Sequence, residues 1–272
     1  MKLDEIDTVC RAVRAQSGVR LDPTKTYMLE TRLAAVARRE GFDGIGELVE
    51  AMRQDEALTW LATEALTHSE TSFFRDREPF RRFRDQMLPS LVARRDRPLR
   101  VWSAGCSTGQ EAYSLAMMID EAAAASPGLK VELFASDLSE RRLEKAQSGL
   151  YTQFEVQRGL PIRLLVRHFD RVDELWQVSP RLREGIRWRK INLMAELKPV
   201  GHFDVIFCRN LVSMLDPAMR PAVLEKLARA MTADGWLVLG AEETAAGITD
   251  VLQPVADWAG AFGKTPDFKA AA

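Results

Sequence analysis

The run Val101-Trp102-Ser103-Ala104-Gly105-Cys106-Ser107-Thr108-Gly109-Gln110-Glu111 reads as a hydrophobic strand, a glycine-bearing turn and the start of a helix. In an open α/β sheet a nucleotide-like ligand lies against such a turn, because glycine lets the backbone approach closely and the helix start offers free N–H groups. The spacing is neither G-x-G-x-x-G nor a P-loop, since no Gly-Lys-Ser/Thr follows, so phosphate cradling is disfavoured. Glu111 would repel a pyrophosphate but could pair with an ammonium group. A second acid, Asp137, ends the run Val131–Ser136, where a carboxylate can accept hydrogen bonds from both ribose hydroxyls. Taken alone, the turn could be structural and Asp137 could cap the next helix. Together they describe an adenosine bearing an ammonium and no phosphate, which fits S-adenosylmethionine better than a dinucleotide.

Cys208-Arg209-Asn210 closes a third apolar run, Phe203–Cys208, again at a strand end. Asn210 could contact a ligand there or cap the following turn, and Cys208 reads more readily as a small buried hydrophobe than as a nucleophile. His68, His168 and His202 are far apart with no H-E-x-x-H or His/Cys spacing, and Cys10, Cys106 and Cys208 form no C-x-x-C pair. The sequence therefore predicts no metal centre and a reduced compartment.

These residues need a sheet to gather them. Leu99–Ser103, a helix near Gln110–Ala124, Val131–Ser136, a helix opened by Ser139, Phe203–Cys208, a helix over Pro217–Ala230 and Trp236–Gly240 alternate as a parallel, doubly wound sheet does. Residues 1–72 carry apolar positions at helical spacing, such as Ile6, Val9, Val13 and Leu29, Leu33, Val36, and predict a small all-α domain. Residues 73–98, dense in Arg and broken by Pro79, Pro89 and Pro98, read as a connection, leaving 99–272 as the α/β domain. Gln177-Val178 and Ile186–Ile191 are expected as two strands of a small antiparallel insertion.

The chain has 272 residues, with Lys+Arg 38 against Asp+Glu 39 and a net charge of −1, which disfavours a nucleic-acid-coating protein. Its longest apolar stretch, around Ala112–Ala125, falls short of the roughly 20 residues that span a bilayer. The start Met1-Lys2-Leu3-Asp4-Glu5 is too acidic for a signal peptide, so a cytoplasmic protein is expected. Arg11, Arg14, Arg20, Lys25, Arg32, Arg38 and Arg39 meet only Asp22 and Glu30 within their span, a basic stripe that is either a solvated helix face or a surface for an acidic protein partner.

Across nearly its full length the chain resembles the chemotaxis receptor methyltransferase family, CheR. The resemblance rests on Glu70-Thr71-Ser72-Phe73-Phe74-Arg75-Asp76, Val101–Met117, Ala135-Ser136-Asp137-Leu138-Ser139, Phe154-Glu155-Val156-Gln157-Arg158-Gly159-Leu160-Pro161 and Phe203–Asn210. It implies a Rossmann-like, class I S-adenosylmethionine-dependent methyltransferase domain behind an all-α receptor-recognition domain, with an antiparallel β-subdomain inserted near residues 165–190. It further implies that Thr71 and Arg75 line the cofactor pocket with Ser69, Ala104, Gly105, Glu111 and Asp137, that Asn192-Leu193 contacts adenine, and that Asn210 lies nearby. The implied partner is the cytoplasmic domain of chemoreceptors, with a receptor C-terminal peptide at the β-subdomain and the chain acting as a monomer at membrane receptor arrays.

The expected reaction gives glutamyl methyl esters. A glutamate carboxylate is ionised near neutral pH, so attack on a sulfonium methyl needs no general base. Catalysis then comes from holding the carboxylate in line at about 3–3.5 Å and from excluding water, with Arg75 orienting it through bidentate hydrogen bonds. Three positions depart from the family pattern: Ser69 stands for Asn, Met214 for Tyr, and Gly240-Ala241-Glu242-Glu243 for Gly-His-Ser-Glu. They carry an alternative reading, a weakened or inactive member that binds S-adenosylmethionine or S-adenosylhomocysteine as a regulatory module. A methyltransferase for a small molecule or nucleic acid is a further rival that the fold permits.

Overall fold

The computed structural model describes residues 1–67, 70–126, 128–197, 200–256, 258–266 and 268. Four helices come first: α1 (Leu3–Ser17), α2 (Thr26–Glu40), α3 (Ile45–Met52) and α4 (Glu56–Leu66). Ile6, Val9 and Val13 share one face of α1 and Leu29, Leu33 and Val36 one face of α2, and all six are buried. Asp55 starts α4 by accepting the N–H groups of Ala57 and Leu58 at 2.8 and 3.2 Å. Gly18 ends α1 in the left-handed conformation at φ +74°, which directs the chain toward the sheet.

The rest of the chain builds two sheets. The strands are β1 (Leu99–Ala104), β2 (Val131–Asp137), β3 (Leu150–Thr152), β4 (Phe169–Val172), β5 (Leu175–Val178), β6 (Ile186–Lys190), β7 (Phe203–Phe207), β8 (Met231–Val238), β9 (Leu252–Pro254) and β10 (Ala261–Lys264). The large sheet runs β6-β2-β1-β7-β8-β10-β9; its first five strands are parallel and β10 is antiparallel to both neighbours. Helices α7 (Gln110–Ala125), α8 (Glu140–Ser148) and α12 (Arg220–Arg229) belong to the crossovers. The strand alternation splits the interior in two. Trp102, Ala104, Phe203 and Ile206 face a core shared with α1–α4, while Val101, Leu133, Val205 and Phe207 face the core under α7. The helical domain is therefore packed onto one face of the sheet, and its residues can wall a site at the strand ends.

Three expectations need correction. Ile186–Lys190 is not part of the antiparallel insertion: it extends the large sheet, parallel to β2, with Leu133 opposite Ile186 and Asp137 opposite Lys190. Its Ile, Trp and Arg alternation suits any half-buried edge strand, so pattern alone does not choose the partner. The small sheet is instead β3-β5-β4, drawing its first strand from Leu150–Thr152, ahead of the expected range; α9 (Gln153–Gln157) and α10 (Ile162–His168) link β3 to β4, and α11 (Pro180–Glu184) leads from β5 to β6.

Residues 73–98, read as a connection, carry α5 (Glu78–Arg82), a π-helical turn over Phe83–Met87 and α6 (Leu88–Val92), with Phe80, Phe83, Met87, Leu88 and Leu91 buried in the core under α7. Pro79 sits in the first turn of α5, where proline costs no hydrogen bond, and Pro89 follows directly on the π-helical turn in a helical run that continues from Glu78 to Val92. Finally, β8 begins at Met231 and α12 covers Arg220–Arg229, a shorter helix and an earlier strand than the hydrophobic pattern suggests.

Candidate active site

The turn after β1 is shaped by β2. Gly105 and Cys106 both donate their N–H groups to Ser136 O, at 2.8 and 2.9 Å, so the turn folds over the end of β2. That brings the Ser107 N–H to Asp137 Oδ2 at 2.8 Å, while Oδ1 accepts from Ser139 N–H at 2.9 Å and lies 3.6 Å from Arg142 Nη1. The α8 cap is Ser139, whose hydroxyl accepts from Arg142 N–H, so Asp137 is free of that task. Its carboxylate borders the cleft and has further lone pairs for ribose hydroxyls. Gly105 lies at φ +80°, in the left-handed region that favours glycine, with the Leu211 side chain of the loop after β7 packed over it.

Glu111, in the first turn of α7, accepts from Ser103 Oγ at 2.8 Å and pairs with Arg209 Nη1 at 3.2 Å. Burial pushes the Glu111 carboxyl above its usual range, and the Arg209 guanidinium and Ser103 hydroxyl offset only part of that rise. Arg209 is itself buried at the end of β7, donating to Arg75 O at 2.8 Å and to Asp76 Oδ2 at 2.7 Å. Its Nε–H is buried without a partner among the described residues.

Two phenylalanines fix the segment that carries Thr71 and Arg75. Phe73 meets Tyr151 and Phe169 edge-on at 5.0 and 5.7 Å, Phe74 meets Phe80 at 5.4 Å, and Phe74 N–H donates to Ser114 Oγ at 2.9 Å. Thr71, Ser72 and Arg75 thereby line one lobe of the cleft with Gly105, Glu111 and Arg209. Arg75 is half-buried, with Nη1 on Glu70 O at 2.7 Å.

The other lobe is walled by both domains. Ser17, Val19 and Thr67 come from the helical part, and Asp137, Arg142, Asn192, Leu193, Leu211 and Met214 from the α/β part. Asn192 Nδ2 donates to Gln16 O at 2.7 Å and Arg142 Nη2 to Glu64 O at 2.9 Å, so two cleft residues bind the helical domain directly. Gly105, Arg209 and Asn210 border both lobes, so the two lie side by side. Asn210 stands at φ +58°, held there because Glu243 accepts the N–H groups of Asn210, Ser213 and Gly240 at 2.7, 2.8 and 2.7 Å.

The expected residues Thr71, Arg75, Gly105, Glu111, Asp137, Asn192, Leu193 and Asn210 thus meet at one cleft, and Ala104 ends the buried strand beneath it. Ser69 lies outside the described residues. Arg209, Arg142 and Glu243 are additions. Arg209 adjoins Asn210 in a run already singled out, Glu243 closes the Gly240–Glu243 run as the residue that keeps the family's Glu, and nothing local in the sequence marks Arg142. Burial pushes the thiols of Cys106 and Cys208 well up, consistent with small buried side chains and not nucleophiles.

Residues 4–67 match the family model "CheR methyltransferase, all-alpha domain", and residues 69–259 match "CheR methyltransferase, SAM binding domain". The chain belongs to the CheR methyltransferase family. It is 34% identical over 251 residues to chemotaxis protein methyltransferase 1 of Vibrio cholerae, covering 90% of this chain and 91% of that one. It is 35% identical over 244 residues to chemotaxis protein methyltransferase 1 of Pseudomonas aeruginosa, covering 88% and 89%. Among solved structures it is similar to a TehB-like SAM-dependent methyltransferase from Corynebacterium glutamicum, with TM-score 0.37 and 16% identity over 79% of this chain and 100% of that one.

As a CheR member the chain carries that family's S-adenosylmethionine-binding domain, and the cleft suits such a ligand in its donor set. The carboxylate of Glu111 would pair with its ammonium, and that of Asp137 would take its ribose hydroxyls. Among the described residues no helix is long and apolar enough to cross a membrane.

Proposed function

We propose that the chain transfers a methyl group from S-adenosylmethionine to glutamate side chains of chemoreceptors, giving glutamyl methyl esters. The observation that carries this reading is the placement of Arg75: a half-buried guanidinium on the wall that also holds Glu111, beside the chain segment pinned by Phe73 and Phe74. Bound S-adenosylmethionine supplies a methyl on a sulfonium, which departs as a neutral thioether once the carboxylate oxygen takes the methyl. Glu111 fixes the ammonium end, Asp137 the ribose, and Arg75 turns the acceptor carboxylate toward the cleft. No side chain has to remove a proton, because the acceptor is already an anion. Two opposite charges vanish in the reaction, so the chain gains rate by keeping water out, and the apolar walls of Leu193, Leu211 and Leu215 serve that end.

The expected tyrosine is replaced by Met214, which borders the lobe beside Asp137 and not the Thr71 and Arg75 lobe. This favours retained transfer over the binding-module reading. The receptor is an acidic protein partner for the helical domain, although the basic stripe is narrower than its sequence suggests: Arg14 pairs with Asp216 at 2.9 Å and Arg32 donates to Leu66 O at 3.0 Å. The chain acts as a monomer recruited to receptor arrays, with the β3-β5-β4 sheet taking a receptor C-terminal peptide. Mass-spectrometric mapping of receptors incubated with the chain and S-adenosylmethionine tests the acceptor: the added methyl is expected on glutamate side chains, and its appearance only on other residue types would refute the reading.

A further inference from the structure

Arg158 and Phe154 lie outside the cleft proper, and the chemistry described so far gives them no task. Phe154 is 67% exposed, a large aromatic ring that burial does not explain. Arg158 lies over that ring at 5.5 Å and forms an ion pair with Glu70, one of the residues lining the Thr71 and Arg75 lobe. The side chain of Glu70 is itself 69% exposed, and its backbone carbonyl takes Arg75 Nη1. Two guanidiniums therefore flank one residue at the mouth of the site: Arg75 on its carbonyl and Arg158 on its carboxylate.

The position of Arg158 is built and not incidental. The next residue, Gly159, stands at φ +87°, and a Cβ there would come within 2.0 Å of Phe73 O, a backbone atom that cannot yield. The 154–159 segment is thus locked against the segment that carries Thr71 and Arg75. Glu155, within the same segment, is tied to Lys145 and accepts Thr152 N–H at 2.9 Å. What is left for solvent is a cation on an aromatic shelf whose internal partner is a largely exposed carboxylate. Exposed ion pairs are worth little, so a second carboxylate arriving from outside can replace Glu70 at small cost.

We propose that Arg158, supported by Phe154, is an acceptor-recognition residue: it pairs with an acidic side chain of the incoming protein next to the glutamate to be methylated, displacing Glu70, while the Phe154 ring covers the apolar surface beside that acid. The partner is an acidic protein segment with at least two carboxylates within reach of Arg158 and Arg75. This rests on the proposed methyl transfer and adds which surface selects the acceptor. Because neither Arg158 nor Phe154 borders the cleft, the contact acts on acceptor binding and not on the cofactor.

The test uses the full chain with receptor-bearing membranes as acceptor, comparing wild type, Arg158→Gln and Arg158→Lys. For Arg158→Gln the KM for receptor is expected to rise fivefold or more, with kcat and the calorimetric Kd for S-adenosylmethionine within twofold of wild type. Arg158→Lys should recover part of the loss, and raised salt should weaken wild type more than Arg158→Gln. An unchanged receptor KM in Arg158→Gln beside a normally active wild type overturns this inference alone. A matching loss in cofactor affinity also overturns it, since Arg158 would then be propping the Glu70 wall. Absence of transfer by wild type overturns the functional reading and this inference with it.

Discussion

The backbone N–H of Asn210 donates to Glu243 Oε2 at 2.7 Å, across 33 residues of sequence. The same carboxylate takes Ser213 and Gly240, so one side chain at the end of β8 sets the course of the loop that follows β7. Replacing Glu243 with Ala leaves three N–H groups without their acceptor, at about 1–3 kcal/mol for each that stays buried. Glu243→Ala should therefore lower the melting temperature and weaken S-adenosylmethionine binding at least tenfold in a calorimetric titration. Glu243→Gln, which keeps one acceptor oxygen, should fall between. An unchanged cofactor affinity in Glu243→Ala would show that the loop holds its form without the carboxylate.

The Glu111 and Arg209 pair predicts how cofactor binding responds to pH. Glu111 has to be ionised to hold an ammonium, and burial raises its pKa, so affinity should decline on acidification at a higher pH than an ordinary glutamate would impose. Arg209→Met removes the cation that opposes this rise, and the midpoint should move further up. Breaking a buried pair in this way also costs roughly 3–5 kcal/mol of stability. Calorimetric titrations across acidic and neutral pH check both points, and identical pH profiles for the two proteins would contradict them.

Asp204 anchors the opposite end of the sheet. It is fully buried on β7 and accepts from Arg97 Nη2 at 2.8 Å, Arg95 Nε at 3.0 Å and Arg100 N–H at 2.9 Å. Burial alone would raise its carboxyl pKa, but the hydrogen bonds from Arg97, Arg100 and Arg95 together hold it below the usual range. Its stabilising contribution is thus present above the unfolded-state value of about 3.9 and is lost as pH falls through the lower folded value. Asp204→Asn should destabilise by roughly 3 kcal/mol at neutral pH and show a shallower loss of stability with acid. Thermal unfolding followed against pH would refute this if both proteins lost stability in parallel.

Much of this site was legible because strand ends announce themselves. Val101–Ala104 and Val131–Ser136 are short, mostly apolar runs that read as strands, and the residues that follow them, at Gly105–Glu111 and Asp137, lie at the carboxyl edge of a parallel sheet by geometry. Arg142 was not legible, and of Glu243 only its place in the Gly240–Glu243 run was, since the importance of both lies in partners that only tertiary folding supplies: the Glu64 carbonyl for the first, Asn210 for the second. The Ile186–Lys190 strand was visible but its neighbour was not, because an edge strand carries the same alternation in either sheet. The Arg-rich stretch before β1 was read as a connection because its prolines look like breaks. In the fold Pro79 opens a helical run that continues past Pro89 by way of the π-helical turn, and Phe80 and Phe83 between them enter the core.

The central claim is tested most directly by incubating the purified chain with methyl-labelled S-adenosylmethionine and receptor-bearing membranes, then measuring label released from receptor protein as methanol on mild base treatment. The account predicts base-labile label on receptors, reduced at least tenfold by Asp137→Ala at subsaturating cofactor. Calorimetric binding of S-adenosylmethionine with no base-labile label on any receptor would contradict it, and would leave the chain a cofactor-binding member of its family without methyl transfer to receptors.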